Sequence, residues 1–346
     1  MFQIRPEKRI ALLIGFIAAI VAMTACNFSG GGTLPTPGSP DPFTGEAALV
    51  ISTVNGNSVT LADTGPLPST GGVLETSLLD VEVANVLTAQ AGHSIVSGQG
   101  QTTNAETSLA KLDLSLPGQH IQMDFLLVRA QATCSNGTPE TSGLMDIKRL
   151  TINGNVQSIS TAPNQSVNLI DQNNNTVGKI TFNEQDVSTS GDTSAITVIA
   201  LHIVVNGSAD ISIGKVVAGV KCTTNPAPTE DFVTGGGFIE TGGFAANFGL
   251  VAGTRNGTPF GHFVYIDEGT GLKLRASSIT AYQIISDTKR HIEGTAEINQ
   301  VGGSTFTLDV VDNGEPGNTD TISLNVSNGY SATGTLVGGN IQIHKP

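Results

Sequence analysis

Six histidines, three cysteines and one dense acidic loop are the residues of this chain whose chemistry could amount to more than folding. His93, His120, His202, His262, His291 and His344 are scattered. None has the HExxH spacing that sets two imidazoles and a carboxylate on one helix face. No GxSxG turn or P-loop is present. Gly235, Gly236 and Gly237 read as loop glycines in a β context, with no helix following to complete an anion cradle. His202 lies inside the most apolar stretch, AITVIALHIVV at 195–205, and reads as a buried, hydrogen-bonded core histidine rather than a ligand or base. Nothing supplies a nucleophile, base and orienter that must converge, so the expectation is a protein without catalytic activity. Calcium is the one cofactor the pattern suggests. Residues 312–320, DNGEPGNTD, hold three carboxylates and two amides, and calcium takes six to eight oxygen ligands from such loops. The candidate ligands are Asp312, Asn313, Glu315 and Asp320, although their spacing is not that of an EF-hand. A polar hairpin loop whose Asp, Asn and Gly serve turn geometry is the alternative. Asp267 and Glu268 form a weaker cluster, and the polar tip at 171–175 lacks the aromatic platforms on which sugars stack.

The start of the chain carries an address. Arg5, Lys8 and Arg9 precede fourteen largely apolar residues at 10–23, then Thr24, Ala25 and Cys26. At ~1.5 Å per residue this run covers about 21 Å, short of the ~30 Å hydrocarbon core, so it reads as a signal peptide over residues 1–25. Met23-Thr24-Ala25-Cys26 resembles the bacterial lipobox, with methionine where leucine is preferred. The resemblance implies lipidation of Cys26 as the mature N-terminus; ordinary cleavage and free secretion is the competing reading. The segment 26–45 is rich in Gly, Pro, Ser and Thr and reads as a tether.

Without the first 25 residues the chain keeps 13 basic against 28 acidic side chains, a formal charge of −15. That opposes nucleic-acid binding, which is driven by basic groups meeting phosphates. In an oxidising compartment Cys134 and Cys222 are the expected disulfide, since each ends a strand-like run and begins a polar turn. Two unpaired thiols are the competing reading.

The elements that must position these residues are strands. Residues 47–54, a turn at Asn55-Gly56, and 58–62 read as a hairpin, because Asn-Gly supplies the positive φ such turns need. Residues 109–116 alternate with one wet face. Residues 195–205 are apolar on both faces, as expected of a central strand packed on two sides. Residues 223–231, TTNPAPTED, read as a linker. It separates an N-terminal β unit (46–222) from a second β unit (232–346) with strands expected at 261–266, 272–276, 281–285, 290–298, 305–311, 321–326 and 331–336. The fold class is all-β, two tandem antiparallel sandwich or barrel-like domains. A membrane barrel is disfavoured, because 5% aromatics and no Trp cannot build two aromatic girdles.

The order of several short motifs carries a family likeness. Ala132-Thr133-Cys134, Leu150-Thr151-Ile152-Asn153-Gly154, Ile180-Thr181-Phe182-Asn183-Glu184-Gln185 and the run 213–222 (IGKVVAGVKC) resemble the choice-of-anchor P domains of bacterial surface proteins. The second unit, from Val233-Thr234-Gly235-Gly236-Gly237-Phe238-Ile239 through Asn247-Phe248-Gly249 and Glu293-Gly294-Thr295-Ala296 to 312–317, resembles the domain that often follows. The likeness implies an exported module whose attachment device varies, with an N-terminal lipid as the expected device here, since no apolar helix or sorting motif closes the sequence. It implies location more than chemistry, with no enzymatic activity to carry over.

The resulting expectation is a cell-envelope protein, lipid-anchored to a membrane, with a structural or adhesive role toward other envelope or extracellular components. A ligand-binding lipoprotein for glycan or calcium is the alternative, and a secreted hydrolase stands third.

Overall fold

The computed structural model describes residues 42–223 and 229–346. The expected signal peptide, Cys26, most of the expected tether and the middle of the expected linker lie outside the described residues. Every regular element described is a strand, and the pairing is antiparallel throughout.

In chain order the first strands are β1 (Phe43–Val54), β2 (Asn57–Asp63), β3 (Gly72–Val83), β4 (Leu87–Gln99), β5 (Thr102–Leu116), β6 (Gln119–Ser135) and β7 (Thr138–Lys148). Two short strands, β8 (Thr151–Ile152) and β9 (Asn155–Val156), precede β10 (Gln165–Ile170), β11 (Thr176–Ser190), β12 (Thr193–Val205) and β13 (Ala209–Lys221). Beyond the linker come β14 (Phe232–Thr241), β15 (Phe244–Arg255), β16 (Thr258–Asp267), β17 (Leu272–Ile284) and β18 (Lys289–Ile298). β19 (Val301–Val311), β20 (Thr321–Val326), β21 (Ser331–Thr335) and β22 (Gly338–His344) complete the order.

These strands make three sheets. A six-stranded outer sheet runs β10-β11-β12-β13-β1-β2. A seven-stranded middle sheet runs β3-β4-β5-β6-β8-β9, with β7 also paired to β6. The nine-stranded C-terminal sheet runs β21-β20-β19-β18-β17-β16-β15-β14-β22. The outer and middle sheets enclose one apolar core, including Leu49, Leu109, Val128, Ile180, Phe182 and Leu201. The C-terminal sheet encloses another by curling on itself: Phe248, Leu250, Phe263, Leu274, Leu308 and Leu324 all belong to one cluster. One end folds back onto the strand beside the other end, where Gly334 of β21 lies against Ile239 of β14, so close that a Cβ there would sit 3.0 Å from the Ile239 Cβ.

The hairpin at Asn55-Gly56 forms as expected, with φ of 49° and 80°. Cys134 and Cys222 are bonded, Cα atoms 5.5 Å apart and 88 residues apart in sequence. The bond ties the end of β6 in the middle sheet to the end of β13 in the outer sheet. Closing such a loop contributes about 4–5 kcal/mol in the chain-entropy account.

Several readings change. The last residues assigned to the tether are strand: Phe43 is 2% exposed and pairs with Val220, because its ring has a core to enter. Asp231, at the end of the expected linker, is buried and gripped by Arg290 through Nε–Oδ1 and Nη2–Oδ2 contacts, both 2.7 Å, while the Tyr282 hydroxyl donates to Oδ1 at 2.5 Å. β12 is central in its sheet yet alternates, its Ala195, Thr197, Ile199, His202 and Val204 side chains only half-buried. Only the middle sheet covers it, so His202 lies on the wet face between Glu184 (Nδ1–Oε2 2.7 Å) and Asp210 (Nε2–Oδ1 3.1 Å) instead of in the core.

Candidate functional site

The middle sheet is covered on both faces, and the two faces differ. Along β5, Thr103, Ala105, Thr107 and Leu109 meet the outer sheet; the Thr103 hydroxyl donates to the Gly219 carbonyl at 2.7 Å. Alternation turns Glu106, Ser108 and Ala110 toward the C-terminal sheet. That second seam is lined largely by polar and small residues. A small apolar patch anchors one end, where the Phe125 and Phe238 rings lie 5.5 Å apart with Ala110 and Leu127 around them.

Glycine lets the sheets approach. Gly235, Gly236 and Gly237 are not a loop but the buried middle of β14. A Cβ on Gly236 would stand 2.0 Å from Ser108 Oγ, and one on Gly249 of β15 would stand 2.7 Å from the His93 Cβ. The glycine pattern reports a backbone contact between layers, which a single chain segment does not reveal.

Arg129 of β6 is the electrostatic centre of the seam. Its side chain is 7% exposed and reaches Glu106 through Nε (3.1 Å) and Nη2 (3.0 Å), both to Oε2. Nη1 donates to Glu315 Oε1 at 2.6 Å. The Asn340 amide, oriented to satisfy both neighbours, donates to Glu315 Oε2 at 3.0 Å and accepts from Arg129 Nη2. Burial opposes the guanidinium charge, but the carboxylates of Glu106 and Glu315 outweigh it and hold Arg129 above its ordinary range. Burial pushes Glu106 up, against the pull of Arg129. Neither residue stood out in sequence, although a lone Arg within LLVRAQA and a lone Glu between Ala105 and Thr107 were available signals. Such charges are almost never buried unless paired.

Three histidines far apart in sequence meet this seam. His93 is fully buried, its Nδ1 2.8 Å from Ser77 Oγ, and burial with His262 nearby lowers its pKa to about 3. Burial, with Arg275 adding, lowers His262 to about 4. His344 stacks on Phe232 (centroids 4.2 Å) with Nε2 3.0 Å from Thr234 Oγ1; burial, then Arg129, lowers it to about 3. Glu106 Oε1, Ser108 Oγ, His93 Nε2, His262 Nδ1 and Asn247 Nδ2 have no protein hydrogen-bond partner. Buried groups left so cost roughly 1–3 kcal/mol each.

Ser77, His93 and Glu75 are the nearest approach to a hydrolytic triad. The carboxylate faces the hydroxyl (Glu75 Oε2 3.4 Å from Ser77 Oγ) rather than the imidazole that a triad must orient. His93 has no exposed surface and is neutral well below pH 7, with its second nitrogen unpartnered.

The acidic loop is spent on the backbone. Asp320 accepts from the Asn313 and Ile341 amides, both at 2.8 Å. Asp312 accepts from Gly314 (2.9 Å) and Ile343 (2.8 Å). Asn313 donates to the Thr319 carbonyl, and Glu315 turns to Arg129. Since β22 pairs only with β14, Asp312 and Asp320 satisfy amides on its free edge. They fasten the β19–β20 loop there and blunt an edge that would otherwise invite pairing. Among the described residues no three His, Cys, Asp or Glu side chains gather as a cation-binding group.

Beside Arg129 opens a cleft of about 300 Å³. Leu127, Leu144, Met145 and Val337 form its apolar wall, with Glu315 and Lys148 among its polar lining.

No family model matches the chain, and no curated protein matches it. A crystal structure of a Nitrosomonas europaea protein described as a "putative AttH" aligns over 88% of this chain and 92% of that one, at 7% identity and a TM-score of 0.18, a likeness that carries no argument.

Proposed function

We propose that this chain is an exported cell-envelope protein of choice-of-anchor P type, held to a membrane by lipid on Cys26 and serving a structural or adhesive role without catalysis. The observation that carries the reading is the Cys134–Cys222 bond between the outer and middle sheets. Structural disulfides persist in oxidising compartments and are rare in reducing cytosol, which accords with the signal peptide read at 1–25. The dense polar seam supports a rigid role, because Glu106, Arg129, His93 and His344 are buried between the two sheets. Mass spectrometry of the mature N-terminus, with Cys26→Ala as control, tests the anchor. Acylated Cys26 is the expected product. An unmodified, freely secreted chain would refute it.

A second reading, a ligand-binding lipoprotein, is favoured by one feature, the cleft beside Arg129.

A further inference from the structure

We infer that the cleft beside Arg129 binds a small amphiphilic carboxylate, whose headgroup takes the place of Glu315 on the guanidinium while its hydrocarbon lies along Leu144 and Val337. The inference rests on the ligand-binding reading and names the ligand class for it.

The cleft has the composition of a small-molecule site: about 300 Å³, an apolar wall and a few convergent polar groups. Its floor is built. Arg129 is 7% exposed, and Glu106 behind it, 5% exposed, neutralises it from the inner side. The outer partner is different in kind. Glu315 is 52% exposed and sits on the β19–β20 loop at the mouth of the cleft. Its carboxylate can move into water when another carboxylate takes its place on the guanidinium, whereas Arg129 and Glu106 cannot leave. The guanidinium therefore keeps one fixed carboxylate and offers one exchangeable position, Nη1, toward the cleft.

Charge decides what enters. Arg129 already faces two carboxylates, so a third is tolerated only if Glu315 departs, which makes the exchange one carboxylate for another. A neutral alcohol gains no such contact. A short carboxylate such as acetate gains the contact without the apolar wall. Leu144, directly opposite Arg129 in the β6–β7 register, is 41% exposed, and Val337 is 47% exposed. Covering them removes apolar area from water at about 25 cal/mol per Å². Lys148, paired with Asp146 at 2.9 Å, adds a cation to the lining.

The test uses the purified chain carrying Cys26→Ala, so that its own acyl groups cannot compete, and isothermal titration at pH 7 with octanoate, octan-1-ol and acetate. Octanoate should saturate one site per chain and bind at least tenfold tighter than either control. Glu315→Gln removes the internal competitor and should tighten octanoate several-fold. Leu144→Thr removes apolar wall from an exposed strand position without adding charge, so the melting temperature should hold while affinity falls several-fold. Octanoate that fails to saturate, that octanol matches, that Leu144→Thr leaves unaffected, or that Glu315→Gln leaves unchanged or weakens overturns the assignment. That failure would leave the N-terminal lipid reading untouched, because mass spectrometry of Cys26 answers it separately.

Discussion

Replacing Gly236 by alanine should destabilise the protein, and replacing Ser108 by glycine should rescue it. The added methyl would lie 2.0 Å from Ser108 Oγ and 2.7 Å from its Cβ. Rotating the serine hydroxyl away removes the first clash but not the second, which stays about 1 Å inside ordinary carbon–carbon contact of ~3.5–4.0 Å. Neither partner can yield cheaply, since both lie mid-strand and Gly249 is equally tight on His93. Forcing one methylene into a packed interior costs about 1–3 kcal/mol, and the rigidity on both sides puts Gly236→Ala near ~3. Ser108→Gly alone costs about 0.5–1 kcal/mol for glycine in a strand, softened because the Ser108 hydroxyl has no partner to lose. In Gly236→Ala/Ser108→Gly the methyl occupies the space the serine vacates, so the pair should recover about 2 kcal/mol relative to additivity. Urea denaturation followed by far-ultraviolet circular dichroism, with the disulfide intact, measures all four corners of the cycle. A Gly236→Ala variant within about 0.5 kcal/mol of the parent, or a double variant that is merely additive, would refute the close packing of β14 on β5.

Asp231→Ala strands the buried Arg290 guanidinium and should cost about 3–5 kcal/mol, whereas Tyr282→Phe, which removes a hydrogen bond to the charged Asp231, should cost about 1.5–3 kcal/mol, both read from denaturation midpoints. His93 ordinarily titrates near 6.5 and in the fold near 3, so its stabilising contribution is complete above pH 6.5. That contribution falls by about 1.4 kcal/mol per pH unit as acid is added and levels off near pH 3. A His93→Gln variant should show a shallower acid limb in stability against pH, and an unchanged limb would contradict the neutral buried imidazole. With Asp312 and Asp320 bonded to backbone amides and Glu315 to Arg129, calcium and EGTA should give the same melting temperature. Asp320→Ala should lower stability by about 1–3 kcal/mol, and a calcium-dependent rise in melting temperature would count against this accounting.

The sequence by itself determined the class of structure. Period-two alternation, Asn-Gly turns and the absence of helical spacing specify antiparallel strands, and the Asn55-Gly56 hairpin follows from local φ preference alone. Cys134 and Cys222 were legible as a pair because each closes a strand-like run. Most strands of the second unit were legible as well, but β14, β15 and β22 were not among those expected. Their glycines resemble loop until the fold crowds them: Gly236 and Gly249 lie against the facing middle sheet, while Gly235, Gly237 and Gly339 lie against the neighbouring strand of the β14–β22 pair. What tertiary structure alone decided is which faces are covered. His202 looked like core because its neighbours are apolar, yet one face of β12 has no layer over it. Asp231 looked like linker until Arg290, 59 residues later, folded onto it. Glu106, Arg129, Glu315 and Asn340 come from four separate strands or loops, so no spacing rule could join them. Alternation encodes which side chains share a face of a strand, but not what lies across from that face, and the seam exists only where two sheets meet.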